Sequence, residues 1–158
     1  MLDEIDRPGG DQSWQSRVLA IGGVVSILIR ENSGKERLSV EDPRVRMAAQ
    51  KLKFQVNDSR REISWNTAFL LARHFGDNSG ELILEEMLSW DFLGEQRGAR
   101  DRALTRQEKE EWMCQALEGL YSLRGGELKD VLEEKKSDRN IKVRATAMKL
   151  LEKLDKKT

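Results

Sequence analysis

Apolar residues recur along this chain at spacings of three and four, the interval that gathers them on one face of an α-helix. Val45, Ala48, Ala49, Leu52 and Val56 form one such stripe, and Ile63, Ala68, Leu71, Ala72 and Phe75 form the next. A shorter stripe holds Leu82, Ile83, Met87, Leu88 and Trp90. Further on come Trp112, Met113, Ala116, Leu117, Leu120 and Leu123, then Leu128, Val131 and Leu132. Ile141, Val143, Ala147, Leu150, Leu151 and Leu154 close the series. The pattern predicts an all-α chain of about seven helices, near 14–31, 43–56, 60–76, 80–90, 106–124, 127–136 and 139–156.

Start and stop signals agree with these boundaries. Ser13 and Asp42-Pro43 are helix starts, because a short polar side chain accepts from free N–H groups and proline is preset for the first turn. Thr105 with Glu108 fits a capping box. Asn32-Ser33-Gly34, Gly76-Asp77-Asn78 and Gly125-Gly126 are stops. Residues 1–12, with Pro8-Gly9-Gly10, read as a flexible lead-in, and 13–158 as a single domain. Residues 91–104 lose the helical period and carry two glycines, so a long loop is expected there. The apolar run Val18–Ile29 falls well short of the roughly 20 residues of a membrane span. The acids before it are wrong for a secretory signal. The expected location is the cytoplasm, with no membrane contact.

The chain also repeats itself. Ala68, Ala72, Phe75 and Gly76 are echoed by Ala116, Leu120, Leu123 and Gly125, with a 48-residue offset at the first alanine. Gly80-Glu81-Leu82 returns as Gly126-Glu127-Leu128 at an offset of 46. Asp42-Pro43-Arg44-Val45-Arg46 with Ala49 is echoed by Asp138, Val143-Arg144 and Ala147. Helix–turn–helix units at such periods are the signature of an α-solenoid, in which neighbours stack because no single pair buries its own stripe.

From Asp58 to Leu154 the chain resembles the HEAT-repeat family, particularly bacterial repeats related to phycobilisome-lyase subunits. The likeness rests on Ser64-Trp65-Asn66-Thr67-Ala68 with Leu71-Ala72-Arg73 and Gly76-Asp77, and on Asp138 through Ala147. It implies three to four stacked helix pairs, with the first helix capping the array. It also implies an acid–arginine ladder between repeats, to which Asp138 and Arg144 correspond. Asp58 corresponds only to the acid, since Ser64-Trp65 stands in place of Val-Arg. In that family the second helix of each pair lines a concave surface, which makes Trp65, Asn66, Arg73, Glu111, Gln115 and Arg144 candidate partner contacts. Arg97, Arg100, Arg102 and Arg106 form a second candidate contact, on the loop.

Composition narrows the function classes. The 158 residues carry 28 Lys+Arg against 28 Asp+Glu, so no net positive field draws the whole chain to nucleic acid or anionic membrane. Charge is nevertheless uneven. Six acids and no Lys or Arg lie between 77 and 96, whereas 135–158 holds nine Lys/Arg and three acids. The expected result is a chain electrostatically polar along its length.

One Cys and one His exclude the common thiolate and multi-histidine metal sites. His74 has no sequence-placed partner and reads as a partly exposed structural histidine; Cys114 reads as a small apolar filler. The pairs Glu85-Glu86, Glu110-Glu111 and Glu133-Glu134 point about 100° apart on a helix and read as solvated faces. The glycine pairs lack the context of a phosphate-binding loop. No catalytic constellation or cofactor is found. The expectation is a non-catalytic HEAT-repeat interaction module binding a protein or peptide on its concave face. Two alternatives stay open: a nucleic-acid-binding HEAT-like protein, and a bilin-lyase-related HEAT protein.

Overall fold

The computed structural model describes residues 13–32, 34–35, 37–97 and 101–157. The lead-in expected at 1–12 lies outside them. The chain gathers into two compact units, one ending at Gly80 and the other beginning at Glu81. Among the described residues every extended element is helical, apart from an isolated antiparallel bridge between Arg97 and Ala103.

The first unit holds α1 (Ser13–Glu31), α2 (Pro43–Gln55) and α3 (Arg61–Leu70), the last continuing as a π-helical turn, Leu71–Phe75. α1 and α2 both pack on α3. Two-sided packing explains why α3 buries Ile63, Ser64, Trp65, Thr67 and Ala68, a wider arc than one stripe. Ile21, Leu52, Ile63 and Leu71 are the first unit's largest fully buried side chains. In the π turn the Leu71 carbonyl accepts from the N–H groups of Gly76 and Asp77, and the His74 carbonyl takes the Leu38 N–H at 2.7 Å. Gly76 closes the turn at φ +61°, a left-handed conformation that costs glycine nothing.

The second unit holds α4 (Glu81–Glu86), α5 (Trp90–Glu95), α6 (Arg106–Arg124), α7 (Lys129–Lys135) and α8 (Ile141–Lys157). A 3₁₀ turn, Gly125–Leu128, leads into α7. α6 and α7 pack on α8, and α4 packs on α6. Leu84, Met87, Leu93, Met113, Leu117, Leu120 and Leu128 fill the core.

The predicted boundaries hold except near residue 90. The helix expected over 80–90 ends at Glu86, and Ser89 starts a new one by accepting the Phe92 N–H at 3.2 Å. The expected loop at 91–104 therefore opens as helix, held by fully buried Leu93. Local capping and one buried leucine override the lost periodicity.

The internal echo is structural in part. Ala68 and Ala116 are both fully buried, as are Ala72 and Leu120. The match ends at Gly-Glu-Leu: Leu82 is 76% exposed and Leu128 fully buried. Gly80 is pressed against Ala68, where a Cβ would lie 2.6 Å from the Ala68 Cα, whereas a Cβ on Gly126 would meet open space.

A closer equivalence lies at two helix entries. Asp58 accepts the Arg60 N–H at 2.8 Å and Asp138 accepts the Asn140 N–H at 2.8 Å. Each also holds a side chain from an earlier helix: Arg17 of α1 at 2.6 Å on Asp58, and the Trp90 indole of α5 at 3.0 Å on Asp138.

Candidate functional site

The residues expected to line a concave surface divide between the units, Trp65, Asn66 and Arg73 in the first and Glu111, Gln115 and Arg144 in the second. Trp65 is a core residue, only 5% exposed, with the Arg61 guanidinium 5.2 Å from its ring centroid. Its expected contact role is corrected by the broad burial of α3. Asn66 donates to the Glu62 carbonyl at 2.6 Å, and Arg73 is half-buried. Glu111 is exposed and accepts from Gln107 at 3.0 Å. Gln115 is half-buried, its Oε1 enclosed without a hydrogen-bond partner. Arg144 donates to the Asp138 carbonyl at 2.8 Å, within its own helix entry. The Asp138 carboxylate is turned to the Trp90 indole and does not pair with Arg144 of the same helix entry.

The arginines of 97–106 also have separate fates. Arg97 is exposed beside its bridge to Ala103, Arg102 grips Glu108 with two donors at 2.8 and 3.1 Å, and Arg100 lies outside the described residues. Arg106 faces the pocket described below. His74 is buried rather than partly exposed. Cys114 is half-buried; burial pushes its thiol up, opposed by a hydrogen bond with Thr146. Glu110 is not part of a solvated face. It is buried, ion-paired to Lys142 at 2.9 Å and bound by Asn140 at 2.6 Å, contacts that hold its carboxyl below the usual range. In the acidic stretch, Asp77 pairs with Lys53, and Glu81 and Glu85 both pair with Arg124, so half of its six acids are compensated.

Two surfaces remain chemically distinctive. One is the outer face of α2. Its inner face buries Val45, Ala48, Ala49 and Leu52, while Met47 and Phe54, seven residues apart, stand 52% and 80% exposed. The helix carries Arg44, Arg46, Lys51 and Lys53 and no acid. Arg44 is paired with Asp42 and Glu31, and Lys53 with Asp77; Arg46 has no ion pair among the described residues.

The other is an open pocket of about 380 Å³ in the second unit, lined by Trp90, Arg106, Lys109, Arg139 and Asn140. Trp90 begins α5 and is fixed by its indole bond to Asp138. The Arg139 guanidinium lies 4.9 Å from its ring centroid. Arg106 and Lys109 stand in the first turn of α6, behind the Thr105–Glu108 capping box. Asn140 is engaged at both ends of its amide: its nitrogen donates to Glu110, and its oxygen accepts the Lys142 and Val143 N–H groups at 2.9 and 3.2 Å. The sequence reading reached Arg106 alone among these five residues. The rest come together through helix packing and share no local motif.

Among the described residues no group of three or more His, Cys, Asp or Glu is arranged to hold a metal ion. No described helix is long and apolar enough to cross a membrane. No family model, curated protein or solved structure matches the chain.

Proposed function

We propose that this protein is a non-catalytic α-helical interaction module, built as a HEAT-like solenoid, which binds a segment of a partner protein. The observation that carries the reading is the outer face of α2, where Met47 and Phe54 stand in solvent on a helix whose only charges are positive. A large exposed aromatic beside a second apolar side chain is a typical anchor of a protein interface. Arg46, which has no ion pair among the described residues, favours an acidic amphipathic segment as the occupant, since opposite charge steers encounter and sets orientation. The equivalent helix entries at Asp58 and Asp138 support the repeat architecture. The partner surface of this reading is α2, in place of the Trp65 face.

The test is affinity capture with the full chain and with a Met47→Ser, Phe54→Ala variant. Both side chains face solvent, so stability should change by less than about 1 kcal/mol. Partners held by the parent chain should be lost, and a synthetic acidic amphipathic peptide that binds the parent should bind the variant at least about tenfold more weakly. Undiminished capture by a folded variant would remove α2 as the interface.

A further inference from the structure

The pocket of the second unit has a charge balance that the interaction reading does not use. The carboxylates of Glu108, Glu110 and Asp138 each bond a partner other than Arg106, Lys109 and Arg139. Glu108 is gripped by Arg102, Glu110 by Lys142 and Asn140, and Asp138 by the Trp90 indole and the Asn140 N–H, with Lys135 3.7 Å away. Arg106 and Lys109 have no ion pair among the described residues, and Arg139 has only its stacking on Trp90. Three cations therefore face one pocket without an ion pair among the described residues, the Glu110 carboxylate lying within electrostatic reach of Arg106 alone. Like charges so placed repel, and the arrangement is favoured when an anion joins them.

The number and kind of donors narrow the anion. A carboxylate brings one negative charge, whereas a phosphate monoester brings nearly two at neutral pH and three acceptor oxygens. Two guanidinium forks and one ammonium fit that richer acceptor set. The first turn of α6 adds the positive end of a 19-residue helix behind Arg106 and Lys109. The volume, about 380 Å³, exceeds what a bare phosphate fills and falls in the range of small-ligand sites. Trp90 supplies the apolar wall on which an organic group can lie.

We infer that the pocket formed by Trp90, Arg106, Lys109 and Arg139 binds a small organic phosphate monoester, with the phosphoryl group on the three cations and the organic group against the indole. No bond is made or broken in this role; the site is a recognition site. It is separate from the α2 face, and each stands or falls alone.

Calorimetric titration of the full chain with phenyl phosphate, inorganic phosphate and sodium acetate tests the inference. Phenyl phosphate should bind more tightly than inorganic phosphate, and acetate should bind weakest. The Arg106→Gln, Lys109→Gln variant should lose at least about tenfold in phenyl phosphate affinity. These residues make no ion pairs among the described residues, so the variant should keep the parent's unfolding temperature. Trp90→Phe should weaken phenyl phosphate more than inorganic phosphate, a selectivity change that general loosening of the fold would not produce. Phosphate and acetate binding alike, or unchanged affinity in the double variant, would overturn the inference. A phosphoserine peptide binding where phenyl phosphate does not would overturn the small-ligand assignment. The Met47→Ser, Phe54→Ala variant should bind phenyl phosphate as the parent does.

Discussion

Replacing Asp138 by alanine removes a side chain that ties three elements together. Its carboxylate is almost wholly buried, accepts the Asn140 N–H at 2.8 Å and the Trp90 indole at 3.0 and 3.2 Å, and lies 3.7 Å from Lys135. Loss of the helix-entry bond costs about 1 kcal/mol. Loss of a charge-assisted bond that leaves a half-buried indole N–H unpaired costs about 2 kcal/mol more. The sum, about 3 kcal/mol, corresponds to a fall in Tm of roughly 6–12 °C for a chain of this size.

A double-mutant cycle separates the terms. Trp90→Phe deletes the donor but keeps a ring beside Arg139, and in that background Asp138→Ala should cost only about 1–1.5 kcal/mol. Asp138→Asn keeps an acceptor for both N–H groups and should cost less than the alanine change. Urea denaturation followed by circular dichroism measures all four corners. A coupling between Asp138 and Trp90 within about 0.3 kcal/mol of zero would show that the indole bond does not hold α5 to the entry of α8.

Gly80→Ala should destabilise by about 1–3 kcal/mol in urea denaturation, because the added Cβ would meet Ala68, whose backbone cannot move without disturbing the core of the first unit. Gly126→Ala, with open space at the same test, is the control. Glu108→Gln should lower stability by about 1 kcal/mol through loss of the charged arm of the capping box. The Arg102 guanidinium and the Thr105 N–H hold the Glu108 carboxyl down at about 2, from an ordinary 4.5. Its contribution is therefore full above pH 4.5 and fades as pH falls toward 2, so parent and variant should converge in acid-dependent thermal melts. Cys114, its thiol raised by burial, should react with a thiol-specific disulfide reagent at pH 8 much more slowly than free cysteine; a rate equal to that of the unfolded chain would contradict the burial.

Much of the local structure was legible because its causes are local. Asp42-Pro43, Thr105 with Glu108, and Gly76 act within five residues of themselves, and each starts or ends a helix where the pattern places it. Trp65 departs from its sequence pattern for a non-local reason: its distance from the Ala68–Phe75 stripe would expose it on a helix packed from one side, but α3 is covered by both α1 and α2. Glu110 beside Glu111 read as solvent-facing until Asn140 and Lys142, thirty and more residues away, closed over it.

By itself the sequence determined that the described chain is helical and where most helices begin and end, since periodicity and capping depend on neighbours along the backbone. Tertiary structure alone decided which charges are cancelled and which remain free. Residues 81 and 124, or 110 and 142, neutralise each other only once packing brings them together. The cations of the Trp90 pocket, without ion pairs among the described residues, are what that pairing leaves over, and charge pairing follows distance in space rather than order along the chain.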